Sequence, residues 1–226
     1  MTDSSARPAL TVIRHVVRPL WHPSDEGVVV CIAPGPSLTY TDCRLVENAA
    51  LRGVPVSSIA INDAYRVAMT AGTRYSPDAT WWAGQSWISP TRGFPGHMYT
   101  LGNVDVPAGV LGLGYSSTSV LSDDPDVLAT GGHGGYSAAN LAFLQGPMTI
   151  ALLGYDMAPD PASGQHHVGG DAPGQKHARY EKWLGRYKAL HDALADRGVQ
   201  LVNCSRRSAI SPDDVPALAL EKLLGL

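Results

Sequence analysis

VVVCIAPGPSLTY, residues 28–40, opens with an unbroken apolar run from Val28 to Ala33 and then breaks at Pro34-Gly35-Pro36-Ser37. A continuous apolar run without alternation is the pattern of a strand buried on both faces, as in a parallel sheet. Two prolines cannot carry a strand ladder onward, so the run ends in a turn. Gly35 lets the backbone approach a neighbour closely, and Ser37 brings a hydroxyl and an amide to a helix start. That turn is either a plain strand-to-helix bend or the seat of a phosphate.

The pattern repeats outward from this stretch. Thr41 or Asp42 caps a helix carrying Leu45, Val46, Ala49 and Ala50, with Gly53 as its stop. Ser57 to Ile61 reads as a second buried strand ending at Asn62-Asp63, followed by a short helix through Val67 and Met69 to Gly72. Asp78 to Ala83, DATWWA, reads as a third strand, and from there to Ala129 glycine and proline break the chain into short strands and loops. Ser137 caps a helix over AANLAFLQ that Gly146-Pro147 ends. Met148 to Leu153 is another apolar strand, ending in Gly154-Tyr155-Asp156. A connection without periodicity then runs through His177, a length that commonly marks function. Tyr180, Trp183, Leu184, Tyr187, Leu190 and Leu194 form one helical stripe closed by Gly198. Val199 to Val202 gives a last strand, and Val215 to Leu224 a terminal helix.

Buried strands alternating with helices predict an α/β fold: a single Rossmann-like domain over residues 28–226, its mostly parallel sheet covered by helices on both faces. Residues 1–27, interrupted by Pro8, Pro19 and Pro23, read as an N-terminal arm or edge strand.

A net charge of −3 over 226 residues supplies no general field for nucleic acid or for acidic lipid. No apolar run approaches the roughly 20 residues that cross a bilayer, and MTDSSARPALTVIRH has no apolar core of a secretion signal. Cys31, Cys43 and Cys204 form no C-x-x-C pair and read as core thiols, so the chain is expected to be cytoplasmic. Its oligomeric state is left open.

In open parallel sheets ligands bind beyond the carboxyl ends of the strands. The strands deliver Gly35-Pro36-Ser37, Asn62-Asp63, Tyr155-Asp156 and Asn203-Cys204-Ser205 to that edge. ATGGHGGYSAANLA, residues 129–142, sets Gly131, Gly132, His133 and Gly134 directly before a helix start, where free amides attract anions. Ala138, Ala139 and Ala142 suit close packing of that helix on the sheet. The long connection brings His166, His167, Asp171 and His177, histidine being the natural acid or base near neutral pH. The spacing of these four fits no standard zinc pattern, and no metal ligand set is assigned. Trp81, Trp82 and Trp87 stack on a base or sugar or serve as ordinary core.

The ordered series APGPSL (33–38), INDAY (61–65), TGGHGGYSAANLA (130–142), LLGYDM (152–157), the histidine-bearing loop and VNCS (202–205) resembles one superfamily. It is similar to the Rossmann-like phage and bacterial family related to 6-hydroxymethylpterin pyrophosphokinases (MptE-like). More distantly it is similar to bacterial sialyltransferases that use a CMP-sugar donor. The resemblance implies that Gly35, Pro36, Ser37 and Asn62 bind the phosphate and ribose of a nucleotide. It implies that the glycine segment meets the donor through backbone groups, and that His166 or His167 deprotonates an acceptor hydroxyl. In those transferases the first loop reads G-N-G-P-S-L; here Ala33 and Pro34 replace its first glycine and asparagine. Tyr155 and Tyr180 are the candidates for their phosphate-holding tyrosines.

Three functions follow as expectations. The first is a glycosyl transfer enzyme with a nucleotide-sugar donor and a hydroxyl acceptor, acting by direct displacement. The second is a pyrophosphokinase acting on a small hydroxymethyl heterocycle, with Mg²⁺ held by Asp63, Asp156 and Asp171. The third is a nucleotide or sugar-nucleotide binding protein without catalysis.

Overall fold

A computed structural model describes residues 27–84, 91, 93–102, 106–167 and 180–226. The arm foreseen over residues 1–27 lies outside these apart from Gly27, as do Trp87, Asp171 and His177.

The centre is one eight-stranded sheet. Its strands are β1 (Val28–Ile32), β2 (Val56–Ile61), β3 (Thr73–Tyr75), β4 (His97–Leu101), β5 (Val110–Ser116), β6 (Val127–Ala129), β7 (Thr149–Leu153) and β8 (Gln200–Asn203). They lie in the order β6-β5-β4-β3-β2-β1-β7-β8, and every pairing is parallel. The helices are α1 (Tyr40–Leu51), α2 (Ala79–Gly84), α3 (Gly134–Leu144), α4 (Glu181–Leu184), α5 (Arg186–Ala195) and α6 (Leu220–Leu223). This is the α/β, Rossmann-like architecture that the apolar runs predict.

Alternation within the central strands builds two cores. Val29 and Cys31 of β1, Ile59 and Ile61 of β2, and Ile150 and Leu152 of β7 face α3 and α5. Val30, Ile32, Ala60, Ala151 and Leu153 face the opposite core, with Val46 and Ala49 of α1 and Leu220 of α6. Ala138, Ala139 and Ala142 are fully buried, and the Cys31 thiol reaches the Ala138 carbonyl at 3.6 Å. Those small side chains let α3 lie against β1, β2, β6 and β7. All three cysteines are free and buried.

Several elements differ from their sequence reading, each for a local reason. The cap of α1 is Thr39, not Thr41 or Asp42. Thr39 accepts from the Asp42 amide at 3.2 Å, and Asp42 accepts from the Thr39 amide at 3.0 Å, a reciprocal capping box. DATWWA is not a strand: Ala79–Gly84 is helical, burying Trp82 while its indole N–H donates to the Ser76 carbonyl at 3.3 Å. The third strand is Thr73–Tyr75, too short to show a period. A 3-10 turn over Asn62–Arg66 replaces the helix foreseen through Val67 and Met69. α3 begins at Gly134, so Ser137 lies inside it, its hydroxyl donating to the His133 and Gly134 carbonyls at 3.3 and 3.2 Å. The stripe from Tyr180 to Leu194 is two helices joined at Gly185, and the terminal helix shrinks to Leu220–Leu223.

The chain leaves β1, steps outward through β2 to β6, and returns beneath α3 to place β7 on the other side of β1. The direction of winding reverses between β1 and β7. In an open sheet, that reversal parts the loops above neighbouring strands and leaves a crevice.

Candidate functional site

A cavity of about 250 Å³ occupies that crevice. Ala33, Pro34 and Gly35 from the end of β1, Ile61 and Asn62 from β2, and Gly154 to Ala158 from β7 line one side. His133, Gly134 and Gly135 at the start of α3, with His166, His167, Tyr180 and Trp183, line the other.

The Gly35 loop closes on its own protein. A Cβ at Gly35 would lie 2.2 Å from the Gly154 carbonyl oxygen and 2.4 Å from Asp156 Oδ1, and the Gly35 amide donates to that same carbonyl at 3.0 Å. Ser37 donates its amide to Asp156 Oδ2 at 2.9 Å and its hydroxyl to Oδ1 at 2.8 Å. The anion seat visible in the sequence therefore holds the carboxylate of Asp156. Neither Ser37 nor Pro36 lines the cavity. Asp156 is almost fully buried, and burial raises its pKa against the opposing bonds from Ser37.

Among the described residues, two non-glycine residues have a left-handed backbone, Asn62 at φ 47° and Met157 at φ 51°. Both line this cavity. Such conformations cost free energy and gather where function fixes them. Asn62 Oδ1 is moreover buried without a hydrogen-bond partner.

One wall is aromatic. The His166 and Tyr180 rings stack at 5.6 Å and 21°, with His166 Nδ1 and the Tyr180 hydroxyl 3.0 Å apart. Tyr180 meets Trp183 edge-on at 6.1 Å, and Trp183 lies 4.9 Å from His133. Burial, reinforced by the nearby Arg186 charge, pushes the His133 pKa down to about 3, so its ring is neutral at physiological pH. Its Nε2 and the indole nitrogen of Trp183 are both buried without a partner.

The sequence candidates thus divide. Gly35, Asn62, His133, Gly134, Tyr155, Asp156, His166 and His167 meet at the cavity. Tyr155 is tied down there: its hydroxyl donates to the Gly135 carbonyl at 2.9 Å, and its amide to Ser205 Oγ at 2.8 Å. Asp63 turns away toward Arg66 at 3.3 Å and the Trp81 indole at 3.4 Å. Gly131 packs against the Tyr136 ring and Gly132 beside Trp183. Asn203 lies beyond the cavity's reach, accepting from the Ser205 amide at 3.1 Å. The residues that sequence reasoning missed are Trp183, read as part of a core stripe, and Met157, whose backbone no sequence pattern reveals.

Among the described residues, no cluster of three or more His, Cys, Asp or Glu side chains is placed to hold a metal ion. No described helix is long and apolar enough to cross a membrane. No family model, curated protein or solved structure matches the chain.

Proposed function

We propose that the protein is a transferase that takes a nucleotide-linked donor, most simply a nucleotide-sugar, into the cavity between β1 and β7 and passes its group to a hydroxyl acceptor. The convergence of six separate stretches of chain on one crevice at the reversal of the sheet carries this reading. The resemblance to CMP-sugar-dependent sialyltransferases makes a CMP-sugar the first donor to try.

His166 serves as general base, its ring held by Tyr180 at the cavity edge. It takes the proton of the acceptor hydroxyl as that oxygen bonds to the anomeric carbon. The bond from that carbon to the phosphate oxygen breaks, and the nucleotide leaves with the electron pair. Gly134 and Gly135 open α3 onto the cavity, and amides of a first helical turn stabilise the charge that develops there. Ser37 takes no part in that step, because Asp156 holds both its donors.

Mg²⁺-dependent pyrophosphoryl transfer ranks second. Asp63 points to Arg66 and Trp81, which leaves Asp156 alone in the cavity lining among the described candidate carboxylates. Thermal-shift titration with CMP, UDP, ADP, ATP and CMP-sugars, with and without Mg²⁺, tests the reading, because a ligand of the folded form raises its melting point. A CMP-sugar shift indifferent to Mg²⁺, with turnover lost in His166→Ala, fits glycosyl transfer. An ATP shift that needs Mg²⁺ replaces it with the second reading. Binding with full turnover in both His166→Ala and His167→Ala refutes the base assignment.

A further inference from the structure

We infer that residues 9–18 form an amphipathic helix that fills a groove beside α1, on the face of the sheet that the short connection from β2 to β3 leaves open. The inference stands apart from the transferase reading, since no described residue lines both this groove and the candidate site.

Parallel neighbours are joined by crossovers over a face of the sheet, and right-handed crossovers that step in one direction stay on the same face. The steps from β1 to β2 and from β2 to β3 are two of these, and α1 makes the first. The second, Asn62 to Gly72, contains only the 3-10 turn Asn62–Arg66 and supplies no α-helix to lie beside α1. What it leaves is a groove of about 460 Å³, larger than the candidate site. Ala50 and Leu51 of α1 line it together with Ala68 and Ala71 of the connection and Val56 and Ser58 of β2. Most of these side chains are small, which leaves depth for incoming ones. Leu51 is 78% exposed, and Met69, between the lining residues Ala68 and Thr70, is 61% exposed. Large apolar side chains beside an apolar groove mark a surface that another element covers.

The sequence of the arm has the matching pattern. Between Pro8 and Pro19, apolar residues occupy positions 9, 10, 12, 13, 16 and 17, while Thr11, Arg14, His15 and Arg18 recur at i, i+3, i+4 and i+7. Proline suits the first turn of a helix and ends one at the residue before it, which bounds the element at 9–18. A helix of this size is about 15 Å long. It is too short, and too rich in valine and isoleucine, to hold its shape in water without a surface to pack on.

The arm also joins the sheet at the right place. The Gly27 carbonyl accepts from the Met148 and Thr149 amides at 2.9 and 3.2 Å, at the amino edge of the sheet. Val28 is in register with Val56, which lines the groove. Residues 19–26 span up to about 28 Å. The groove lies one strand spacing and one packed layer away, about 5 and 10 Å. The tether therefore reaches with length to spare.

Hydrogen exchange of the full chain, followed by NMR, tests this. Residues 13–18, whose amides are bonded within such a helix, exchange at least about tenfold more slowly than in a free peptide of the same sequence. Ala50→Arg sends a long charged side chain into the groove from an exposed helical position, where arginine is a good helix former and the fold is kept. It returns residues 13–18 to the peptide rate while β1 and β7 keep their protection. Should that variant fail to fold, Leu51→Arg, at a more exposed position of the same groove, decides in its place.

Peptide-like exchange of residues 13–18 in the wild type overturns the inference, as does protection that survives Ala50→Arg. Protection that vanishes on dilution places the helix in the groove of a second copy and overturns the arrangement within one chain. Protection that appears only with vesicles containing phosphatidylserine assigns the cationic face to a lipid surface and overturns it likewise.

Discussion

Ser37 donates both its backbone amide and its hydroxyl to the carboxylate of Asp156, at 2.9 and 2.8 Å. The bonds fasten the loop after β1 to the loop after β7, across the point where the sheet reverses its winding. The protein thereby fills with its own carboxylate the place that a P-G-P-S turn offers to a phosphate. The two donors of Ser37 are thus taken and are not offered to the cavity.

Removing the Ser37 hydroxyl has a stability effect that depends on pH. Burial raises the Asp156 pKa above its ordinary 3.8, so the ionised carboxylate opposes folding and the Ser37 bonds offset part of that cost. Below the unfolded-state pKa the group is protonated in both states; stability falls as pH rises through the folded-state pKa. Ser37→Ala therefore destabilises by about 1.5–3 kcal/mol at pH 7, the worth of a hydrogen bond to a charged group. The difference shrinks as acid protonates Asp156. Urea unfolding of both proteins across that pH range measures it, and a gap independent of pH contradicts the clasp.

Gly35→Ala places a methyl 2.2 Å from the Gly154 carbonyl oxygen and 2.4 Å from Asp156 Oδ1. Neither neighbour is the free end of a long side chain, so the loop after β1 must lift away from β7. The expected loss is about 1–3 kcal/mol, typical of overpacking, accompanied by weaker binding of every cavity ligand. Chemical denaturation and calorimetry read the two effects. Unchanged stability would mean that the loop yields without strain.

The sheet was legible because its central strands are buried on both faces, which writes unbroken apolar runs at 28–33 and 150–153. DATWWA misled because aromatic residues fit a pleated surface as readily as a short helix, and six residues carry too little period to choose. Thr73–Tyr75 is a strand through pairing to β2 and β4, information that three residues do not contain. Parallel strands end at one edge, so Asn62 and Asp156 could be placed together from order alone. The bond between Ser37 and Asp156 spans 119 positions and depends on side-chain direction, which no local pattern encodes. Trp183 looked like core because its spacing matches Tyr187 and Leu190; the break at Gly185 leaves it on the cavity instead.

A base at His166 predicts a graded series. His166→Ala lowers kcat by at least about a hundredfold, the usual contribution of a positioned acid or base, and leaves donor affinity near wild type. Tyr180→Phe keeps the stacked ring but removes the hydroxyl 3.0 Å from Nδ1. It should lower kcat several-fold with donor affinity unchanged, because the hydroxyl bond holds the imidazole in place. Equal turnover in both variants and wild type excludes the histidine as base.

His133 makes the protein sensitive to acid by a separate route. With its folded-state pKa pushed down to about 3 by burial and by Arg186, the ring stays neutral in the native state while the unfolded chain protonates near 6.5. Stability is therefore fully present above about pH 6.5 and is lost as pH falls, by at most about 1.4 kcal/mol per unit for this group. His133→Asn should flatten that slope, and asparagine at the position just before α3 can also cap the helix, where the imidazole makes no capping bond. Urea unfolding at pH 7, 6 and 5 compares the two slopes. In parallel, the His133 ring resonance of the native protein should not move between pH 8 and pH 5; titration near 6.5 would mean that the ring is open to water and that the aromatic wall with Trp183 is not packed against it.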